Sequence, residues 1–317
     1  MAWSFTAHRG SANNKVSGTV LAVSPSAQIP AGAIALAVAV SDNIATGGGA
    51  TANHVVTDFR GNLWTKVREQ SNAAAAGAGI TLSVWVSQLA TALQTSDSVV
   101  LGLSAAATAK AIGLYEYAIG AGNFFDVSGS NGTQQDGTAS PTVTLGSLSS
   151  TAYAFFGVVA REDDTAGTYT PDADFNDRTK FGTTGGTPAT NVSCIVGDRL
   201  ATLTGDTFNP TALQASADVC SILIAFREIA PFRQTVDDVD GSGGTVRIRF
   251  GKTTMEFSTL EQAKQFATFS AGEGQTVLRR LALARYLAID PTASNPAVME
   301  GHSIAFTDQL NRMVEVF

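Results

Sequence analysis

Two periodicities divide the chain. From residue 16 to about 228, large apolar side chains recur at every second position, the spacing of a strand with one face turned inward. Ile34, Leu36, Val38 and Val40 alternate with alanine, whereas Ile80, Leu82, Val84 and Val86 alternate with Thr81, Ser83, Trp85 and Ser87. The second pattern predicts a half-buried strand with its hydroxyls and one Trp outward. The first has no polar face, so its alanine side should also be covered, by a loop or another subunit. Further strands are expected over 16–23, 54–59, 63–69, 98–103, 110–118, 152–160, 191–197 and 219–228. Turn chemistry separates them: Ser24-Pro25, Gly47-Gly48-Gly49, Asp58 to Asn62, Gly129 to Gly137, and Gly185-Gly186. Many antiparallel strands with polar loops predict a mainly β fold, an N-terminal antiparallel β-sandwich over residues 1–230.

The pattern changes after Ala230. Residues 231–244, with Asp237, Asp238, Asp240 and the run Gly241-Ser242-Gly243-Gly244, form an acidic, glycine-rich linker. Beyond it, 246–250 and 253–257 alternate like a hairpin around Gly251-Lys252. Ser258-Thr259-Leu260-Glu261 then matches a capping box and predicts a helix closed by Gly272 and Gly274. A second helix is predicted over 275–289, stopped by Asp290-Pro291, and 301–306 and 313–317 read as two short strands. Residues 245–317 are therefore expected to be a small α+β docking or oligomerisation domain.

Composition sharpens this picture. Only 15% of the 317 residues are charged, against about a quarter in an ordinary soluble domain, while 44% are hydrophobic. So little charge suits a surface hidden against neighbouring subunits, and a homo-oligomer is expected. A net charge of −7 disfavours a nucleic-acid partner. The most apolar segments, 31–40, 152–160 and 219–226, fall short of the ~20 residues that cross a bilayer, so no membrane partner is expected either. The first nine residues hold no basic stretch followed by an apolar run, which points to synthesis in the cytoplasm.

Candidate chemistry is sparse. His8, His54 and His302 lie in no Gly-x-Ser-x-Gly elbow and beside no Cys, so no catalytic residue is assigned and no enzyme is expected. Cys194 and Cys220 read as buried thiols on strand faces; a disulfide would need their strands to be neighbours. Neither Gly-rich run is followed by Lys-Ser/Thr, and no cofactor or metal is assigned. Glu162, Asp163 and Asp164, with Asp172 and Asp174 in the next loop, form the one candidate ligand loop, for a glycan or for calcium, with a solvated acidic rim as the plain reading. Candidate interface residues are Trp85, on the outward face of its strand, and Arg279, Arg280 and Arg285, the basic edge of the last helix. Trp64, Tyr115 and Tyr117 would also stack on a partner if they stood outside.

One stretch carries a resemblance. Val55-Val56-Thr57-Asp58-Phe59-Arg60-Gly61-Asn62-Leu63-Trp64-Thr65-Lys66-Val67 is a strand that ends in Asp, turns through Gly-Asn, and resumes with an aromatic and Thr. With 16–23 and 34–40 before it, and 110–118 and 220–228 after it, this stretch resembles the jelly-roll domains of bacteriophage tail, fibre and capsid-decoration proteins. The resemblance implies a non-enzymatic virion structural protein, located in the virion, whose partners are other virion proteins and copies of itself, a trimer among the options. The alternative is a lectin-like adhesin that binds a host surface glycan through the acidic loops. A glycan depolymerase is a third reading, which requires an acidic pair in one cleft.

Overall fold

A computed structural model of the chain describes residues 3–42, 53–75, 78–121, 123–163, 169–187, 190–211, 218–229, 232–233, 246–250, 253–257, 270–271, 304–307 and 313–316. By internal contacts the chain divides into one unit of Met1–Ala121 and Phe125–Glu228, and another of Gly122–Phe124 and Ile229–Phe317. The described residues are mainly β, in antiparallel sheets, with no α-helix among them.

The strands fall into two runs. The first run is β1 Ser4–Asn14, β2 Gly18–Val23, β3 Ile34–Asp42, β4 His54–Asp58, β5 Thr65–Ala75, β6 Ala78–Gln88, β7 Val99–Ala107 and β8 Lys110–Ala118. The second is β9 Phe124–Asp136, β10 Val143–Leu145, β11 Thr151–Arg161, β12 Asn176–Gly182, β13 Ser193–Leu203, β14 Asp206–Phe208 and β15 Asp218–Ile229. A five-stranded sheet is ordered β1-β8-β3-β6-β5, and a second five-stranded sheet β9-β15-β11-β13-β12. A three-stranded sheet, β2-β7-β4, and a pair, β10-β14, complete the unit.

Side-chain alternation stacks these sheets in layers. Ile34, Leu36, Val38 and Val40 of β3 and Ile80, Leu82, Val84 and Val86 of β6 meet Phe156, Val158, Cys194, Val196, Ile222 and Ile224 in a core between the two large sheets. The opposite face of the first sheet, Ala35, Ala37, Ala39, Trp85 and Leu114, is covered by Leu21, Val23, Val56, Val99 and Leu101 of the small sheet. The back of the second sheet is covered by Val143, Leu145 and Phe208, with Tyr169 and Phe175 from the connection after β11. The alanine face of β3 is thus covered as its pattern requires, by the chain's own third sheet. The hydroxyls of Thr81, Ser83 and Ser87, expected outward, are buried in the same layer.

The two runs repeat one plan. Their large sheets share a strand order once β1, β8, β3, β6 and β5 are matched to β9, β15, β11, β13 and β12. Register agrees as well. Leu114, Ala37 and Trp85 form one row across the first sheet, and Leu223, Gly157 and Gly197 the matching row across the second. A bulge interrupts β5 between Lys66 and Arg68 and β12 between Asp177 and Thr179, opposite Val84–Trp85 and Val196–Gly197 respectively. The place of β4 is taken in the second half by an isolated bridge, Thr170 with Thr211.

The halves fill their back layers from opposite sides. In the first, Trp85 projects from the large sheet. In the second, that register holds Gly197 beside Gly157, and the Phe208 ring enters from β14: a Cβ on Gly157 would lie 2.4 Å from that ring. The halves also meet through one polar seam. Tyr117 Oη donates to Asp198 Oδ2 at 2.9 Å, Arg178 Nε donates to Asp198 Oδ1 at 2.7 Å, and the Arg178 guanidinium lies 4.1 Å above the Phe5 ring. At the matching seam the equivalent positions are Phe226, Val86, Val67 and Phe125, all apolar.

The structure corrects several expectations. β1, β9, β10, β12 and β14 were not anticipated, and Gly129 to Gly137, read as a turn, lies largely within β9. β1 and β12 are edge strands, half-buried on both faces, so no apolar stripe marks them. Cys194 and Cys220 are buried and are not joined by a disulfide, because both pair with Ala160 from opposite sides and β11 separates them. In the second unit β16 Phe232–Arg233 pairs with β19 Ser270–Ala271; β17 Val246–Phe250 and β18 Thr253–Phe257 form the expected hairpin; β20 Ile304–Thr307 pairs with β21 Met313–Val316. Ser270 and Ala271 are therefore strand, where the sequence suggested the end of a helix. The remainder of both expected helices lies outside the described residues.

Gly157→Ala is expected to destabilise by about 1–3 kcal/mol through its clash with Phe208, read as a lower urea midpoint. Combined with Phe208→Ala, which removes the ring, it should cost less than the sum of the two single changes; strict additivity would refute the packing described.

Candidate interaction surface

The β2-β7-β4 sheet turns one face to the core and the other to solvent. Across its outer side Val20 and Val55 both pair with Gly102, which leaves a valine on either side of a residue with no side chain. The next outward row is Ala22, Val100 and Thr57. Val20 is 57% exposed and Val55 54%, and no position in these rows is charged. Strand alternation carries this face on to Phe59, which is 74% exposed.

Phe59 is presented by a tightly bonded turn. Asp58 Oδ1 accepts from the backbone N–H of Arg60 at 2.7 Å and of Asn62 at 3.2 Å, and Asp58 Oδ2 accepts from the Trp64 indole at 2.7 Å. Gly61, at φ +71°, supplies the left-handed residue that the reversal needs. Asn62 exchanges two hydrogen bonds with the backbone of Thr91, and Arg60 Nε donates to Asp97 Oδ2 at 2.7 Å. The Asp58 carboxylate, the Asn62 amide and the Arg60 Nε–H bond back to the protein, and the Arg60 guanidinium lies 5.8 Å from the Phe59 ring, while Phe59 and Leu63, 57% exposed, stand in solvent.

The residues singled out in the sequence lie elsewhere. Trp85 is 6% exposed, under the small sheet, with its indole donating to Ser83 Oγ at 3.0 Å and the Lys66 ammonium 5.1 Å from its ring. It faces away from the central core, as alternation required, but into a second core rather than toward a partner. Trp64, Tyr115 and Tyr117 are also buried. Arg279, Arg280, Arg285 and Asp164 lie outside the described residues.

The acidic residues separate. The Asp163 carboxylate is fully buried against Arg161 at 3.3 Å, and Arg161 lies over the Tyr169 ring. Asp172 accepts from the backbone of Asp174 and Asn209, which shapes its own loop. Asp174 pairs with Arg199 at 3.3 Å. Glu162 stands apart beside Asp218, and burial together with that neighbour pushes its carboxyl up to about 7. Glu162 and Asp163 lie in a bend just after β11, and each is engaged by a different partner, Asp218 and Arg161, so adjacency in sequence does not gather these groups. Among the described residues no three His, Cys, Asp or Glu side chains are placed to share a cation.

The arrangement closest to catalytic geometry surrounds His54. Ser41 Oγ lies 3.0 Å from Nε2 and Ser83 Oγ 2.8 Å from Nδ1. Ser41 donates its own proton to the Asp42 carbonyl at 2.8 Å, so Nε2 must carry a hydrogen and Nδ1 must accept from Ser83. One chain of donors thus runs from the Trp85 indole through Ser83, His54 and Ser41 to a backbone carbonyl. The Glu69 carboxylate accepts from the backbone N–H of Asn53 at 2.6 Å and of His54 at 3.0 Å, and from Lys66 at 2.7 Å. Ser41, His54 and Ser83 are fully buried. The network ties β4 to β3 and β6. Burial pushes the imidazole down to about 4, with Lys66 adding to the effect and Glu69 opposing it.

No family model matches this chain, and no curated protein or solved structure matches it significantly.

Asp58→Ala is expected to cost about 2–4 kcal/mol by stripping three donors of their acceptor, and to speed hydrogen exchange at Arg60 and Asn62. Retained protection at both amides would show that the turn stands without it. His54 has a folded-state pKa below its unfolded value of 6.5, so the unfolded chain takes up the proton first. Stability should therefore fall as pH drops from about 6.5 towards 4, by roughly 3 kcal/mol in all. His54→Gln should remove that part of the slope, seen in urea unfolding across the same window.

Proposed function

We propose that the chain is a structural component of a bacteriophage particle, a capsid decoration or a tail or fibre protein, and that it acts through protein–protein contact rather than catalysis. The observation that carries this reading is the outer face of β2-β7-β4, an uncharged row of valines continued by Phe59 and Leu63 on a turn that Asp58 bonds together, with the Arg60 guanidinium beside the Phe59 ring. Contiguous apolar surface of this kind marks a docking site, and presentation on a rigid turn lowers the entropy lost on contact.

Topology supports the same reading. The order β1-β8-β3-β6 facing β2-β7-β4 is that of an eight-stranded jelly roll in which β5 has joined the first sheet instead of extending the second. On this reading the N-terminal unit is two such rolls, and jelly rolls recur in viral capsid proteins and in lectins. The lectin alternative finds less support. Trp3, Trp64, Trp85, Tyr115, Tyr117, Tyr153 and Tyr169 are all buried, and the acidic residues expected to bind a glycan are separated, Asp163 against Arg161 and Asp172 within its own loop, rather than gathered about the exposed Phe59.

Mass spectrometry of purified particles should find the chain in them at many copies each; recovery only in the particle-free fraction would overturn the proposal. Phe59→Asp combined with Leu63→Asp should lower incorporation at least about tenfold, the equivalent of roughly 1.4 kcal/mol of contact energy. Both side chains are exposed, so the thermal midpoint should hardly move.

A further inference from the structure

We infer that Glu162 and Asp218 form a proton-dependent latch between the two halves. Sharing a proton, they hold the β5–β6 hairpin to the second sheet; with both ionised, they release it. The device is independent of the role proposed above.

Position brings the two acids together. β11 and β15 are neighbours with Arg161 opposite Val219, so Glu162 and Asp218 lie at the same end of adjacent strands, and the Glu162 N–H donates to the Asp218 carbonyl at 3.0 Å. Their side chains are hydrogen-bonded to each other. Two ionised carboxylates only accept, so one of the pair carries a proton in this arrangement. Glu162 Oε2 also accepts from the backbone N–H of Gly79, in β6 of the first half, at 3.3 Å.

The hairpin is shaped to deliver that N–H. β5 bulges between Asn72 and Ala75, and Gly79 stands across from the bulge at φ +89°. A Cβ on Gly79 would lie 2.2 Å from the Asn72 carbonyl oxygen, so the position admits glycine alone. The same hairpin meets the second sheet at two further points. Asn72 Nδ2 donates to the Val219 carbonyl at 3.5 Å, and the Cys220 thiol donates to the Ile80 carbonyl at 3.5 Å. All three bonds are long and individually weak, so the loss of one is felt.

Charge makes the link switchable. The charged groups facing Glu162 are Asp218 from β15 and Asp42 from the end of β3, both acidic, while residues 72–80 of the hairpin carry no charge. Cations nearby are committed elsewhere. Arg161 pairs with Asp163 at 3.3 Å, Lys110 donates to the carbonyls of Val16 and Ala107, and Lys15 donates to Thr190. The bond from Gly79 favours a charged Glu162, but burial, the bond to Asp218 and the two negative neighbours outweigh it. Together they push the carboxyl from its ordinary 4.5 up to about 7. Once ionised, the side chain is better solvated by water, and as it turns out Gly79 loses its acceptor.

The sign follows. The closed latch keeps its proton to about 7, whereas the open one gives it up near 4.5, so the closed form loses ground as pH rises between those values. His54 acts in the opposite sense over an overlapping window, so a global unfolding midpoint mixes the two and a local probe is needed.

Carbon-13 NMR of the full chain, followed from about pH 4 to 9, reads the Glu162 carboxyl, and hydrogen exchange corrected for its intrinsic rate reads the Gly79 amide. The carboxyl should titrate near 7, and Gly79 protection should fall at least about tenfold between roughly pH 5.5 and 8. The Arg60 amide, bonded to Asp58, should show no such step. Glu162→Gln keeps a neutral donor for Asp218 and an acceptor for Gly79 at every pH, so Gly79 protection should stay flat. Asp218→Asn should lower the Glu162 midpoint. A Glu162 carboxyl that titrates near 4.5, a wild-type Gly79 protection independent of pH, or a step that persists in Glu162→Gln would overturn the latch.

Discussion

The fold depends on keeping two sheets dry on both faces. β3 and β11 run through the middle of their sheets, and almost every side chain on either side of them is buried. A strand in that position has no solvated face on which to leave a polar group, so hydrogen bonding must be completed by the ladders and by side chains bonded to one another. The central layer is filled with large residues. The back layers are kept thin by alanine in one half and by Gly157 and Gly197 in the other, so that a further sheet can close over each. Several polar side chains inside are connected, in the Trp85–Ser83–His54–Ser41 chain, in the Asp198 cluster, and in Asn191 with Thr183, while the Ser87, Tyr115 and Ser221 hydroxyls are buried without a hydrogen-bond partner.

Repetition of one plan explains how such a stack is assembled from a single chain. A layered β unit with one covered back and one bare front is half a solution, and two of them placed front to front are a whole one. The differences between the halves are local. One seam holds Tyr117, Asp198 and Arg178, while its mate holds Phe226, Val86 and Val67. One back layer takes a Trp from the large sheet, the other a Phe from the small strand. One outer face shows Thr144 and Thr207, the other Val20 and Val55.

The sequence made the buried strands legible and little else. β3, β6, β8, β11, β13 and β15 show strong alternation because at least one face of each packs against large neighbours. β1 and β12, at sheet edges, share their surface between protein and solvent and leave no stripe. The repeat is hidden for a related reason: along β3, β6 and β8 matched by register to β11, β13 and β15, only Val38 with Val158, Val84 with Val196, and Leu114 with Leu223 are identical. Burial constrains size and polarity at a position, not identity. The acidic run at Glu162 misled because its neighbouring carboxylates, just past the end of β11, are taken up by different partners, Asp218 and Arg161. Trp85 misled because "outward" was judged against one sheet, when a second core lay beyond it. Phe59 was visible in its turn from the start; what the sequence did not show was that all its neighbours were already engaged.

The shared central core has a consequence for biosynthesis. The front of the first half is closed mostly by residues from Ala154 to Phe226, with Phe125 and Val127 at its margin, so when Ala118 leaves the ribosome its partner surface does not yet exist. At about 5–20 residues per second, the hundred or so that follow take roughly 5–20 s to appear. Throughout that interval a broad sheet of valine, leucine and isoleucine stands open, and the first halves of chains growing on the same messenger are the nearest surfaces that fit it. Yield of this protein is therefore governed by translation speed and chaperone supply, and codon choice between the two halves becomes a determinant of how much of it folds.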